Sequence, residues 1–187
     1  MKEDACLQIG GKEFSSRLMV GTGKYSSSEI MMESLSNAES SIVTVAVRRI
    51  QKDYISDNLL EKIDWNKFWM LPNTAGCYKA EDAVRTCEIA EELLNGEKLI
   101  KLEVLSQRKT LFPNIVETIK AAEILVKKDF KVMVYTTDDP IVAKELENIG
   151  CECVMPLGSA IGSGIGIINE YNIREIIEKY NIYPLKT

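Results

Sequence analysis

Apolar runs of strand length recur along this chain, separated by segments of helical periodicity, and few folds accommodate that alternation. The runs are Leu18–Val20, Ile42–Val47, Phe68–Leu71, Leu99–Leu105, Lys131–Tyr135, Cys153–Leu157 and Ile182–Leu185. Repeated βα units of this kind build a parallel sheet, because two parallel strands need a crossover and a helix supplies it. A short opening pair, Cys6–Ile9 and Lys12–Ser15, flanks Gly10-Gly11 and reads as a hairpin. Between the runs, Ser26-Ser27-Ser28-Glu29 offers caps and an acidic first turn to a helix over Ile30–Leu35. Ala80–Leu94, Asn114–Val126 and Pro140–Ile149 carry apolar residues at helical spacing, and Gly150 stands where a left-handed cap favours glycine.

Seven strands alternating with helices fit either a (β/α)8 barrel or an open doubly wound sheet. Gly21-Thr22-Gly23 after the first strand lacks the third glycine of a dinucleotide fingerprint, which weakens the second option. The expected fold class is therefore α/β, a TIM-type barrel over residues 1–187 as one domain. Such barrels need an eighth strand to remove their edges and usually run to about 250 residues. This chain stops at Tyr183-Pro184-Leu185-Lys186-Thr187, in or just after the seventh run. The expectation is an incomplete barrel, from a fragment, a frameshifted gene or a deliberately shortened chain.

Composition excludes several classes of function. The net charge is −5 with both signs interspersed, and Arg48-Arg49 is the only arginine pair, so no basic footprint for nucleic acid or an anionic membrane emerges. The start, MKEDACLQIGGKEF, lacks the basic end and apolar run of a signal peptide. The uncharged stretch Val154 to Asn169 contains four glycines and a proline and falls short of a spanning helix. A soluble, intracellular protein is expected. Five cysteines, no CxxC and no histidine leave no common zinc set, so reduced structural thiols and no metal are expected. Cys151-x-Cys153 shares one strand face and invites a sulfur-handling reading, but core packing is the simpler account.

The run Leu99-Ile100-Lys101-Leu102-Glu103-Val104-Leu105 places Ile100, Leu102 and Val104 on one face and Lys101 and Glu103 on the other. In a barrel the apolar face packs on helices, and the second face then carries an ammonium and a carboxylate into a dry interior. Such an interior favours the neutral, nucleophilic amine, whereas a neighbouring carboxylate opposes it. A structural ion pair or an edge strand with solvated charges is the plainer reading of the same pattern. A second feature, Leu157-Gly158-Ser159-Ala160-Ile161-Gly162-Ser163-Gly164-Ile165-Gly166, follows the sixth strand. Glycines there let backbone N–H groups approach a phosphate, and barrel active sites gather at that end of the strands. Gly21-Thr22-Gly23-Lys24, Arg48-Arg49, Asn73-Thr74-Ala75-Gly76 and Thr136-Thr137-Asp138-Asp139 mark other strand ends. Each reads first as turn chemistry, and together they can form a polar rim.

These segments, with Val43-Thr44-Val45-Ala46-Val47-Arg48-Arg49, Leu71-Pro72-Asn73-Thr74-Ala75-Gly76-Cys77, Thr110-Leu111-Phe112-Pro113-Asn114, Tyr135-Thr136-Thr137-Asp138-Asp139-Pro140 and Met155-Pro156-Leu157-Gly158, resemble thiazole synthase over essentially the whole chain. The resemblance implies a (β/α)8 barrel that condenses 1-deoxy-D-xylulose 5-phosphate, dehydroglycine and sulfur from the C-terminal thiocarboxylate of a small carrier protein. The product is a thiazole phosphate. It implies that Lys101 forms an imine with the sugar, that Glu103 transfers protons, and that Gly162 contacts the sugar phosphate. It also implies a homo-oligomer and no metal or other cofactor. The richness in Ile, Lys, Glu and Asn points to an AT-rich genome, bacterial or plastid, and so to a bacterial cytoplasm or, if plastid-encoded, a plastid stroma as the expected setting.

At its end the chain departs from the family pattern. The aspartate and Ala-Gly phosphate contact after the seventh strand, and the Asn-Thr contact after the eighth, have no counterparts; Lys186-Thr187 stands near where the aspartate belongs. Two other readings stay open. A class I aldolase or sugar-phosphate isomerase uses the same lysine, carboxylate and glycine cradle, and a non-catalytic remnant folds only by pairing its exposed edge.

Overall fold

The computed structural model describes residues 6–23, 25–53, 62–180 and 183–184. The chain divides into two compact units, Met1–Asn73 and Thr74–Thr187.

In the first unit, β1 (Leu7–Ile9) and β2 (Lys12–Phe14) pair antiparallel, with Ile9 opposite Lys12. Gly10 and Gly11 between them have φ of 59° and 78°, the double left-handed conformation that a two-residue hairpin turn demands and that glycine adopts freely. The hairpin is anchored by Phe14, whose ring meets Trp69 edge-on at 6.5 Å, and by the Lys12 ammonium 3.9 Å from the Trp69 ring centre. β3 (Met19–Gly21), β4 (Ile42–Ala46) and β5 (Trp69–Asn73) then run parallel, in register through Met19, Ile42 and Trp69. Between β3 and β4, α1 (Ser28–Asn37) starts where expected. Ser27 caps it by accepting from the Ile30 N–H at 3.3 Å, and Met31 and Leu35 are buried.

Several strand boundaries differ from the sequence expectation. Val47 is not the end of β4 but the first residue of α2 (Val47–Asp53). Val47 and Ile50 are both buried and stand three apart, which is helical spacing, so the run's last valine serves the helix. β5 begins at Trp69 and not at Phe68, which is buried just outside the ladder, and β6 ends at Leu102 and not at Leu105.

The second unit holds β6 (Leu99–Leu102), β7 (Lys131–Thr136), β8 (Cys153–Pro156) and β9 (Tyr183–Pro184), parallel in that order. The remainder of the expected Ile182–Leu185 strand lies outside the described residues. Crossovers are α3 (Ala80–Leu93), α4 (Ile115–Lys127), α5 (Pro140–Ile149) and α6 (Glu170–Lys179). α6 has no counterpart in the sequence expectation; only Ile173 and Ile176 of it are buried.

The fold class is α/β, an incomplete barrel of the (β/α)8 type: seven parallel strands, β3 to β9, stand among the described residues, and closure takes eight.

One face of β6, β7 and β8 presents Ile100, Leu102, Val132, Val134 and Val154 to Ala83, Cys87, Ala121, Ala122, Leu125, Ala143 and Leu146 of the helices. The alanines let the helices approach closely, so the valines and leucines fill the space between layers. The other face follows from strand register: Lys101 lies beside Met133, Met133 beside Cys153, and Tyr135 beside Met155. Cys87 and Cys153 are fully buried, Cys151 nearly so, and all the cysteines are free thiols. Burial pushes the Cys151 thiol up to about 12 and Cys87 and Cys153 up as well, which keeps these sulfurs protonated packing atoms.

Helix ends in this unit are closed by side chains. Asn114, Asp139 and Asn169 cap α4, α5 and α6. Gly150, at φ 98°, ends α5 in the left-handed conformation. α3 is different: Lys79 at its N-cap makes no side-chain cap bond, and Glu117 of α4 accepts from the Ala80 N–H at 2.8 Å instead. That bond, with the Lys120 ammonium 2.8 Å away, holds the Glu117 carboxyl below its ordinary value. A carboxylate lowered on folding adds stability that is complete above its unfolded value and is lost as pH falls through the lower folded one. Glu117→Gln should therefore lower the melting midpoint at neutral pH, with the gap to the native chain shrinking below about pH 4. Thermal melts of both chains between pH 7 and pH 3 check this; a gap that does not change with pH rules out the charged cap.

Candidate active site

Lys101 is the third residue of β6, and alternation turns its side chain away from the helix-packed face of Ile100 and Leu102. Glu103 stands one residue beyond the end of β6. Its Oε2 lies 3.7 Å from Lys101 Nζ. The two side chains are 18% and 13% exposed, so they are largely desolvated yet reachable from outside. An attractive pair at this distance, with limited solvent, is coupled more strongly than a surface pair.

Tyr135 of β7 forms the adjoining wall. Its ring centre lies 6.0 Å from Lys101 Nζ, and its hydroxyl donates to the Leu111 carbonyl at 3.2 Å. Burial, and then the nearby Glu103 charge, raise the phenol to about 12, so it remains a neutral donor at ordinary pH.

The glycine-rich segment follows β8. Leu157 N–H donates to the Thr136 carbonyl at 2.9 Å, which carries the chain out of the sheet, and Ile168 N–H donates to Gly158 O at 2.9 Å, which closes the loop. Gly162, Gly164 and Gly166 have φ of 82°, 67° and 84°, a run that only glycine accepts without strain. A Cβ built on any of these three meets no protein atom within 4 Å, so open space adjoins their backbone.

Lys101, Glu103 and Tyr135 line one side of a cavity of about 410 Å³, and Leu157 to Gly162 with Gly164, Gly166 and Ile167 line the rest. The three residues singled out from the sequence, Lys101, Glu103 and Gly162, thus share one cavity. A lysine amine, a carboxylate and a glycine-rich loop in one cavity are groups that a reaction on a phosphorylated carbonyl compound can use.

Tyr135 escaped the sequence reading. The signal was present only indirectly: β7 alternates, and Met133 two residues earlier is the register partner of Lys101. Without that register either face of β7 was open to choice. The other polar strand ends are engaged elsewhere. Arg49 donates to the Thr22 carbonyl at 2.6 Å, Asp139 caps α5, and Asp138 accepts a long 3.5 Å bond from Asn172. Lys24 lies outside the described residues. Among the described residues no cluster of three or more His, Cys, Asp or Glu is placed to hold a metal ion, and no helix is long and apolar enough to cross a membrane.

Comparison with known proteins adds to this geometry. A thiazole synthase of Prochlorococcus marinus subsp. pastoris is 63% identical over 97% of this chain, which spans 71% of that relative. One from Ectopseudomonas mendocina is 53% identical over 97% of the chain and 70% of the relative. Among solved structures, the Amycolatopsis orientalis BexX/CysO complex contains a chain that superposes with a TM-score of 0.82 at 26% identity, covering 97% of this chain and 74% of that one. The YdjI aldolase of Escherichia coli, at 12% identity, 89% and 64% coverage and a TM-score of 0.53, shares the fold alone. The family described as thiazole biosynthesis protein ThiG matches residues 8–185, and with relatives of this identity over nearly its whole length the chain belongs to the ThiG family of thiazole biosynthetic enzymes.

Proposed function

We propose that the chain forms thiazole phosphate from 1-deoxy-D-xylulose 5-phosphate, dehydroglycine and sulfur delivered as the C-terminal thiocarboxylate of a small carrier protein, a sulfur-incorporating transfer. The observation that carries this reading is that Lys101, Glu103 and the glycine loop line one cavity of about 410 Å³.

The chemistry follows from those groups. Once it has given up its proton, the Lys101 amine adds to the ketone carbon of the sugar, the carbonyl oxygen leaves as water, and an imine remains. Protonated, that imine withdraws electrons from the neighbouring C–H bonds. Glu103, 3.7 Å from the same nitrogen, accepts a proton from one carbon and returns it to another, and the carbonyl character migrates along the sugar until sulfur and dehydroglycine can add. The Gly158–Gly166 loop binds the phosphate through its backbone amides, with Gly162 as the closest contact.

A class I aldolase or isomerase shares every one of these groups and differs in needing no sulfur donor. The identities of 53–63% to thiazole synthases favour the sulfur chemistry, and the solved relative in complex with CysO supports a protein partner for this chain too. A homo-oligomeric assembly is part of the same proposal.

Two experiments test it. Borohydride reduction with 1-deoxy-D-xylulose 5-phosphate should leave one added mass, which peptide mapping assigns to Lys101; Lys101→Arg should trap nothing, since it keeps the charge without imine chemistry. Glu103→Gln should still trap substrate while proton exchange on the bound sugar slows by about a hundredfold or more. Added mass on another lysine sinks the assignment. At Gly162, any side chain must hold a left-handed φ, at roughly 1–2 kcal/mol, or reshape the loop. Gly162→Val should therefore weaken sugar-phosphate binding about tenfold, by isothermal titration, with an unchanged circular dichroism spectrum. Equal affinity removes the loop from the site.

A further inference from the structure

Glu103 sits where regular strand pairing has stopped, so something other than a ladder must hold its backbone. β6 ends at Leu102. Alongside it, the segment Thr74 to Cys77 makes a tight turn: Cys77 N–H donates to the Thr74 carbonyl at 3.1 Å, and Gly76, third in the turn, has φ of 92°. Positive φ at that position is what a type II turn takes, and it accounts for the glycine. Pairing resumes beyond the turn, where Cys77 bridges Val104 and Leu105 N–H donates to the Cys77 carbonyl at 2.9 Å.

Thr74 spans the gap. Its N–H donates to the Lys101 carbonyl at 3.2 Å. Its hydroxyl donates to the Glu103 carbonyl at 2.8 Å and accepts from the Glu103 N–H, also at 2.8 Å. One side-chain oxygen thus satisfies both backbone groups of Glu103, in place of a partner strand. Thr74 is 1% exposed, so bulk water has no easy route to replace that oxygen. A β-branched side chain has few χ1 choices, which suits a fixed strut.

We propose that Thr74 is a positioning residue for the reaction: its amide and hydroxyl tie the backbone at Lys101 to the backbone at Glu103 and so set the spacing of amine and carboxylate. This rests on the reading of Glu103 as the proton carrier. Glu103 accepts a proton from the carbon beside the Lys101 imine and returns it along the sugar, so no atom is gained or lost. The step depends steeply on where the carboxylate stands, and displacement on the order of 1 Å is enough to cost about a hundredfold. Imine formation depends on the Lys101 amine, which the strand β6 itself positions, and it is far less sensitive to Thr74.

The test separates those two steps. In the full chain incubated with 1-deoxy-D-xylulose 5-phosphate in deuterated water, Thr74→Val keeps the shape and removes the hydroxyl. Borohydride trapping at Lys101 should stay within about twofold of the native chain, while deuterium exchange into the bound sugar falls about 10- to 100-fold. Thr74→Ser, which restores the hydroxyl, should recover exchange to within a few-fold. Thr74→Ala gives the same reading as valine if the valine chain does not fold. Val134→Ala, on the helix-packed face, serves as a control for lost stability alone. Exchange in the Thr74 variants no slower than in a Val134→Ala chain of matching melting midpoint overturns the proposal, as does a serine variant as slow as valine. If Glu103→Gln itself exchanges at the native rate, Glu103 is not the proton carrier and the assignment of Thr74 falls with it. If Glu103→Gln is slow and Thr74→Val is not, only the Thr74 assignment falls.

Discussion

Alternation along β6 is the constraint on which the site depends. Ile100 and Leu102 are buried against the helices, and a slip of one residue would expose them and drive Lys101 into that packing. The loss of two large apolar burials, together with an unpaired ammonium among alanines and valines, makes the alternative register untenable. Hydrophobic packing on one face thereby fixes a charged pair on the other. The same logic extends across the sheet through the register of Lys101 with Met133 and of Tyr135 with Met155, so that the phenol stands beside the amine.

The charged pair is of limited use as a stabilising device. Lys101 and Glu103 are separated by 3.7 Å and are mostly out of water, so their attraction offsets a desolvation cost of comparable size. Their placement on a strand whose other residues are apolar accords with the reactive roles proposed for them. Neutral Tyr135, with its hydroxyl committed to the Leu111 carbonyl, offers the pair a wall that does not compete for protons.

Backbone conformation does the remaining work, through glycine at few positions. Gly162, Gly164 and Gly166 take the left-handed region in succession and give the loop after β8 its course. Gly76 does the same for the turn that ends at Cys77 and leaves Thr74 facing the backbone of Glu103. The buried cysteines follow the opposite principle. Cys87, Cys151 and Cys153 sit deep with thiols held protonated, and the Cys151-x-Cys153 pattern reflects packing.

Much of this was legible in order along the chain. The hairpin at Gly10-Gly11, the Ser27 cap, the Gly150 terminus and the two faces of Leu99–Leu105 all arise from interactions within a few residues, and local spacing reveals those. Of the boundaries that were missed, β6 stopping at Leu102 is set by the turn from Thr74 to Cys77, distant in sequence. Val47, in contrast, enters α2 because it is buried with Ile50 at helical spacing, a local pattern that the strand reading absorbed. α6 was missed for another reason: its two buried isoleucines make a thin apolar stripe in a mainly polar segment. Glu117 capping α3, Tyr135 beside Lys101 and the Thr74 hydroxyl on Glu103 bring together residues 29 to 37 positions apart or on different strands. By itself the sequence determined most of the elements, which face of β6 is apolar, and the choice of Lys101, Glu103 and Gly162 as candidate site residues. Tertiary structure alone decided that the three meet in one cavity and which neighbours hold them there, because register and helix packing are settled by burial summed over the unit, and no local stretch of chain contains that sum.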